Sequence, residues 1–393
     1  MIHEMFLQPL IRTEGYRQLV NALPKSVGKP AAVFGLTEGA KVVVSGALSR
    51  GRRTLVVTSS EQSAMRMAED LQRLGVEALH FPARDMTLYH MAAESRELIQ
   101  RRIMVLGKLL LGQTQVVVAP VEALLIPLTP KAEFQKALMC FEPGDILDLE
   151  EMALQLSRMG YERSDMVEAK GQFAIRGGIL DIYPVQSMTA YRIEMFDDEV
   201  DSVRELDVMT QRSNHTDDPC EIYPATEAIA GAAEMSRAAQ ALKAELAGLK
   251  PSAKKAQEND LPWMSEDEDG AIVQRRAAGS RREEIAESLA LGHRTETLEN
   301  FVPYLYEQTA FFSDYFDPEL VVFDEYARVK ERAVNMGLEF AARLENALER
   351  EEGFPGQQRL MDSWDSFIRI QDKRLSVIMG MLQSMGLQRV GHH

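Results

Sequence analysis

Two stretches far apart in the chain carry residue types that could bind and hydrolyse a nucleotide. The first, GLTEGAKV at residues 35–42, has the spacing of the phosphate loop G-x-x-x-x-G-K-[ST], whose backbone amides and lysine hold phosphates. The second, VVFDE at residues 321–325, is an apolar run that ends in an acidic pair. In an ATPase such a pair holds the Mg²⁺ ion and polarises the attacking water. The two stretches thus have the residue types of the two halves of an ATP site.

The first stretch departs from the phosphate-loop pattern at chemically important positions. Ala40 stands where the second glycine belongs, and Val42 has no hydroxyl with which to bind Mg²⁺. Glu38 places a negative charge where phosphates would lie, and this charge repels them at short range. We therefore predict a degenerate site with no ATP hydrolysis and no bound cofactor; for residues 321–325 the alternative is an ordinary strand with a solvated acidic pair. The residues of the predicted degenerate site are Gly35, Gly39, Lys41, Asp324 and Glu325.

A third stretch, QFAIRGGILDIYP at residues 172–184, places an arginine at a predicted sharp turn between two strands. Gly177 and Gly178 allow backbone conformations that other residues avoid, so the chain can reverse there. Arg176 is then expected to be exposed at the bend. On spacing alone, an ordinary hairpin is the favoured interpretation.

The elements around these stretches predict an α/β fold in three parts. Apolar strands alternate with helices over residues 1–127, and this pattern is typical of a parallel sheet. Closely spaced strands separated by turn residues then predict an α+β module over residues 128–220. Residues 221–393 are predicted to be mainly helical, with the acidic-ended strand at 320–325 and final helices at about 329–350 and 361–385. The distance between Lys41 and Asp324 along the chain implies that other modules are inserted within the sheet domain.

Composition excludes several classes of protein. The net charge of −16 opposes non-specific nucleic-acid binding by the chain as a whole. No apolar run is long enough to span a membrane and no signal segment is recognisable, so the cytoplasm is the expected location. The two cysteines are too few and too far apart for a zinc site or a disulfide framework. A metal site is therefore not expected.

Several of these motifs, in this order, resemble the N-terminal region of the bacterial transcription-repair coupling factor (Mfd) family. The module that contains residues 171–184 and YRIEMFDDE at 191–199 is similar to one shared with the excinuclease subunit UvrB. FPARD at 81–85, the helix predicted at 94–111, VVVAPVEAL at 116–124 and DPELVVFDEYARV at 317–329 fit the same family. The resemblance implies a RecA-like domain 1A over 1–127, a UvrA-binding domain 2 over 128–220 and a domain 1B over 221–393.

The resemblance also implies a partner and contact residues. Domain 2 of the family recruits UvrA, and the family's contact arginines match Arg163 and Arg176; Phe173 is a further candidate for the same surface. A third family arginine is Ala174 here. The resemblance implies that RNA polymerase and DNA are bound by C-terminal modules of the full-length family, which are absent from this chain. We therefore expect that the chain acts as a non-catalytic adaptor.

Two functions from other classes stay open at this point. One is an active DNA-dependent ATPase or a UvrB-like subunit that verifies DNA damage. The gap at residues 82–93, with Tyr89 as its only aromatic residue, is too short for the long aromatic hairpin of UvrB. The other is a plain DNA-binding fragment, which the acidic net charge opposes.

Overall fold

The computed structural model of the chain describes residues 4–84, 96–216, 218–249, 281–295 and 297–381. Its strands are β1 (Ala31–Phe34), β2 (Thr54–Thr58), β3 (Ala78–His80), β4 (Val116–Pro120), β5 (Met139–Phe141), β6 (Glu162–Arg163), β7 (Gln172–Arg176), β8 (Ile179–Ile182), β9 (Ala190–Phe196), β10 (Glu199–Asp207), β11 (Arg212–His215), β12 (Cys220–Ile222), β13 (Leu320–Asp324) and β14 (Leu375–Gly380).

The α-helices of the described residues vary from one turn to more than six turns in length. They are α1 (Glu4–Ile11), α2 (Glu14–Ala22), α3 (Glu38–Leu48), α4 (Glu61–Arg73), α5 (Arg96–Leu110), α6 (Val121–Leu124), α7 (Lys131–Lys136), α8 (Leu149–Arg158), α9 (Ala232–Gly248), α10 (Arg281–Ala290), α11 (Val302–Leu305), α12 (Phe312–Tyr315), α13 (Tyr326–Glu349) and α14 (Trp364–Gln371). Short 3₁₀ helices lie at Leu23–Lys25, Leu298–Phe301 and Pro355–Leu360.

A six-stranded parallel sheet, in the order β1-β14-β13-β2-β4-β3, forms the first domain. All residues of β2, β4 and β13 are buried, because helices cover both faces of the sheet. Alternate residues enter opposite hydrophobic clusters: Leu55 and Val57 pack with α5, whereas Val56 packs with α3 and α4. The predicted α/β fold class is confirmed.

The prediction of one continuous helix over residues 361–385 is wrong within the described residues. The helix α14 ends at Gln371, and β14 inserts into the parallel sheet between β1 and β13. Val377 pairs with both Ala31 and Val322, so its strand is central and buried. The β-branched pair Val377-Ile378 favours a strand over a helix, and this local preference is realised by pairing on both sides. Residues beyond 381 lie outside the described part of the chain.

The second domain is a six-stranded sheet in the order β11-β10-β9-β8-β7-β6. Its pairs are antiparallel except for β6 with β7. One face packs against α8 through residues such as Leu156, Phe173 and Ile193. The strands β5, β11 and β12 are absent from the sequence-based prediction; β5 and β12 form a small sheet of their own, which joins the entry and exit of this module.

Buried contacts attach the module to the parallel-sheet domain. Arg102 on α5 is fully buried and donates to both carboxylate oxygens of Glu227, at 2.5 and 3.0 Å, and to the carbonyl of Pro82 at 2.5 Å. Further along α5, Gly107 lies so close to Tyr223 that an added Cβ would be 2.4 Å from the tyrosine ring. These contacts fix the chain where it leaves the module.

Candidate functional site

The phosphate-loop lysine is enclosed by carboxylates. Thr37 caps the start of α3 by accepting from the Ala40 amide, and this places Lys41 in the first turn of the helix. The Lys41 side chain is fully buried, and its Nζ atom lies 3.0 Å from Glu38, 2.8 Å from Asp324 and 2.7 Å from Glu325. We call these four residues the lysine cluster. Gly35, with a φ of +80°, and Gly39 lie in the loop and first helical turn beside it.

The charged groups of the lysine cluster stabilise one another in their ionised forms. Burial alone would lower the pKa of Lys41, but its ion pairs with Asp324, Glu325 and Glu38 outweigh burial and raise it. Burial raises the pKa of Asp324, and Lys41 opposes this rise. Burial would raise the pKa of Glu325, but the hydrogen bonds from Lys41 and from the Met381 amide outweigh burial and lower this pKa. The ammonium group thus already has three anionic partners. These carboxylates occupy the positions around Nζ that nucleotide phosphates would need.

Glu325 adopts a backbone conformation that the sequence does not predict. Its φ of +56° lies in the left-handed region, which is uncommon for residues other than glycine. The conformation is held by two bonds to the end of β14: the Glu325 amide donates to Met379, and its carboxylate accepts from the Met381 amide. The lysine cluster therefore joins the start of α3 to the ends of two central strands.

The second candidate site is the arginine hairpin, which consists of β7, β8 and their turn at residues 177–178. Gly177 has a φ of +60°, so the tight turn needs glycine there. Arg176 precedes the turn with its side chain 46% exposed, and it donates to Asp181 at 2.6 Å. Asp181 is fully buried and also accepts two bonds from Arg192 of β9, at 2.7 and 2.8 Å.

One carboxylate thus lies between two guanidinium groups. The hydrogen bonds from Arg192 to Asp181, opposed by burial, raise the pKa of Arg192, so it stays charged. The single charge of Asp181 can balance only one arginine, and the trio keeps a net positive charge. Because Arg176 is half-exposed and oriented by a buried partner, its remaining donors can bind a further carboxylate.

Asp181 and Arg192 belong to this candidate site, and the sequence analysis missed both of them. The signal was present: an aspartate flanked by apolar residues within a strand needs a partner when it is buried. Asp181 lies directly opposite Arg192 in the register of β8 and β9. Register between strands was not available from one sequence, so the pairing could not be predicted.

The other predicted contact residues occupy different environments. Arg163 is exposed on the edge strand β6, where it pairs in register with Phe173 and therefore projects to the face opposite Arg176. Phe173 is fully buried in the core, so the prediction that its side chain contributes to an exposed contact surface is wrong in this conformation. Ala174, which stands at the position of the third family arginine, packs in a small buried cluster with Val167 and Leu206.

Within the described ranges, no group of three or more His, Cys, Asp or Glu residues is arranged to hold a metal ion. No helix in the same ranges is both long and apolar enough to cross a membrane. The gap at residues 82–93, predicted to be too short for an aromatic hairpin, lies mostly outside the described residues.

The fold is of the RecA-like, UvrB-like α/β type, with an inserted and mainly antiparallel module. Residues 139–227 match the family model described as the UvrB interaction domain. Over 342 residues, 86% of the chain, the sequence is 31% identical to the transcription-repair-coupling factor of Bacillus subtilis. It is 29% identical over 345 residues to the protein of that name from Staphylococcus aureus strain MRSA252, and 28% identical over 347 residues to that from Staphylococcus haemolyticus.

These matches confirm the predicted resemblance: the chain is similar to the N-terminal, UvrB-homologous region of transcription-repair coupling factors. The aligned part spans 28% of the length of the Bacillus subtilis relative and 27% of the Staphylococcus aureus relative.

Proposed function

We propose that this chain is the adaptor region through which a transcription-repair coupling factor recruits UvrA to stalled transcription complexes. The observation that carries the proposal is Arg176, half-exposed and held by the buried Asp181, inside the segment that matches the UvrB interaction domain. The printed name of the relatives supports the coupling role.

In this proposal Arg176 binds a carboxylate of UvrA through charge-assisted hydrogen bonds. Asp181 and Arg192 restrict the Arg176 side chain before binding, so less side-chain entropy is lost in the complex. Arg163 supplies a second cation from the edge strand. Because the register places it on the opposite face, UvrA must reach around the β6 edge to bind both arginines.

The parallel-sheet domain acts in this proposal as a scaffold without nucleotide turnover. A bound phosphate would have to separate Lys41 from three carboxylates, one of which, Glu38, has a side chain that is 69% exposed. We therefore propose that the chain does not bind ATP. We also propose that contacts with RNA polymerase and DNA belong to modules outside the region aligned with these relatives.

The test is the affinity of purified UvrA for the chain, measured by isothermal titration calorimetry. We expect Arg176→Ala to weaken binding by about 30-fold, the equivalent of roughly 2 kcal/mol at an interface arginine. Arg176→Lys keeps the charge but loses the planar fork, so its affinity should be intermediate. The matched control is Arg212→Ala, an exposed arginine on the far edge strand β11, which should bind like wild type.

Two results contradict the proposal. The function is wrong if the wild-type chain does not bind UvrA. The role of Arg176 is wrong if Arg176→Ala and Arg212→Ala have equal effects. Circular dichroism of each variant shows whether its fold is retained.

A further inference from the structure

We infer that the UvrA-binding surface extends from Arg176 along one rim of the second sheet to Phe196 and Ile146, which form its apolar anchor. The inference rests on the proposed function and deepens it. We call Arg176, Phe196 and Ile146, with the acidic turn at residues 197–199, the binding rim.

The first observation is the exposure of two large apolar side chains. Phe196 is 78% exposed and Ile146 is 69% exposed. A single exposed apolar residue is ordinary on a protein surface, so exposure alone does not indicate a binding site. What matters is whether the two side chains lie together.

Strand register places them on the same face. Phe196 pairs with Glu199 across the β9–β10 hairpin, and an isolated bridge pairs Glu199 with Ile146 on the other side. Directly opposed residues on neighbouring strands project to the same face, and neighbouring strands lie about 4.8 Å apart. Phe196 and Ile146 therefore flank Glu199, with their backbones roughly 10 Å apart.

The loop that carries Ile146 is firmly attached to the sheet. The Gly144 amide donates to Val200, and the Leu147 amide donates to Asp198, both at 2.8 Å; the Val200 amide donates back to Asp145. This loop thus acts as an additional edge of the sheet at the Phe196 end, and Ile146 has a defined position.

The same register connects Phe196 to Arg176. Arg176 pairs with Ile179, and Ile179 pairs with Glu194, two residues before Phe196. Alternation along β9 therefore puts Phe196 on the face of Arg176. The Met195 amide donates to Gly178 at 2.7 Å, which holds the end of β9 against the turn that follows Arg176.

The two ends of the binding rim carry opposite charges. Arg176 is positive at one end, and the exposed residues Asp197, Asp198 and Glu199 are negative at the other. The complementary surface of UvrA then has a carboxylate opposite Arg176, an apolar pocket for the Phe196 ring, and basic groups opposite the acidic turn. Aromatic side chains buried at the centre of an interface commonly carry much of its binding energy.

The experiment measures UvrA affinity for Phe196→Ala, Ile146→Ala and Asp198→Lys variants of the whole chain. We expect losses of about tenfold or more for Phe196→Ala and about threefold for Ile146→Ala. Asp198→Lys should also weaken binding, with a steeper effect at low salt. The matched control is Met209→Ala, which removes an 89% exposed apolar side chain at the opposite end of the sheet and should leave affinity unchanged.

The outcomes separate this inference from the proposed function. If the wild-type chain does not bind UvrA, the proposed function fails. If Arg176→Ala weakens binding but Phe196→Ala and Asp198→Lys bind like wild type, the binding rim is wrong and the function stands. Because Phe196 is exposed, its substitution should leave the thermal unfolding midpoint unchanged. If the midpoint falls, the Asp198→Lys variant alone decides whether the binding rim is correct, since Asp198 lies in an exposed turn.

Discussion

Replacing Lys41 with methionine tests whether the lysine cluster stabilises the parallel-sheet domain. The substitution keeps the aliphatic volume and removes the ammonium group from a fully buried position. Glu38, Asp324 and Glu325 then face one another without a cation. We expect a clear loss of stability, since removing one member of a buried ion pair leaves its partners unpaired.

The magnitude follows from distance and burial. Two unit charges at 2.8 Å attract by about 6 kcal/mol at an effective dielectric constant of about 20, and the cost of dehydrating the ammonium offsets part of this. Breaking buried pairs typically costs about 3–5 kcal/mol. Because the Glu38 and Glu325 side chains are 69% and 23% exposed, water can partly replace the lysine. We expect the lower end of that range, about 3 kcal/mol.

The assay is urea unfolding, followed by circular dichroism and by fluorescence of Trp364, whose ring packs against Phe323 of β13. Adding Asp324→Asn to Lys41→Met should recover about half of the loss, since one unpaired charge is removed. The control is Arg73→Met, which breaks a surface pair with Asp70 at 2.5 Å and should cost no more than about 1 kcal/mol.

The reasoning about the lysine cluster is refuted if Lys41→Met costs no more than Arg73→Met. It is also refuted if millimolar Mg-ATP raises the unfolding midpoint of the wild-type chain, because a ligand that binds only the folded state stabilises it. Such a rise would mean that phosphates can displace the carboxylates from Lys41.

Two further predictions concern stability. Ion pairing with Lys136, opposed by burial and aided by Arg158, lowers the pKa of Glu133 from its usual 4.5. The stability that Glu133 contributes is present above pH 4.5 and is lost as pH falls through the lower folded pKa. Glu133→Gln should therefore reduce the acid-induced fall in the free energy of unfolding, measured by urea titration, by up to about 1 kcal/mol. A Glu133→Gln midpoint with an unchanged pH dependence would contradict this. Gly107→Ala should destabilise by about 1–3 kcal/mol in thermal unfolding, since its methyl would meet the Tyr223 ring at 2.4 Å. Gly337→Ala is the control, because nothing lies within 4 Å of its added Cβ, and alanine should there stabilise α13 by up to about 1 kcal/mol.

Much of the fold could be predicted because its signals are local. The apolar runs of β2 and β4 and the periodicity of α4 and α13 are readable within a dozen residues. The prediction failed where one segment contains both a helix and a strand. Residues 361–385 look helical at their start, and only pairing with β1 and β13 shows that residues 375–380 form a strand.

The candidate sites divide in the same way. Lys41, Asp324 and Glu325 could be brought together from motif spacing, because strand ends and the phosphate loop meet at one edge of such sheets. The buried partner of Arg176 and the left-handed backbone of Glu325 could not be predicted. The first depends on the register of β8 and β9, and the second depends on bonds to the end of β14. Phe173 was misplaced for the same reason: one step in strand alternation decides between core and surface.

The position of β14 has a consequence for the order in which the chain folds during synthesis. Among the described residues, β1 has a single neighbour in the sheet, β14, whose residues follow it by more than 300 positions. The strands β7 to β11 instead pair with their nearest neighbours in sequence, through short turns. Since local contacts close with less entropy loss than distant ones, the inserted module can assemble on the ribosome while β1 still lacks its partner. The part of the chain that carries the proposed contact is thus the part that is completed first.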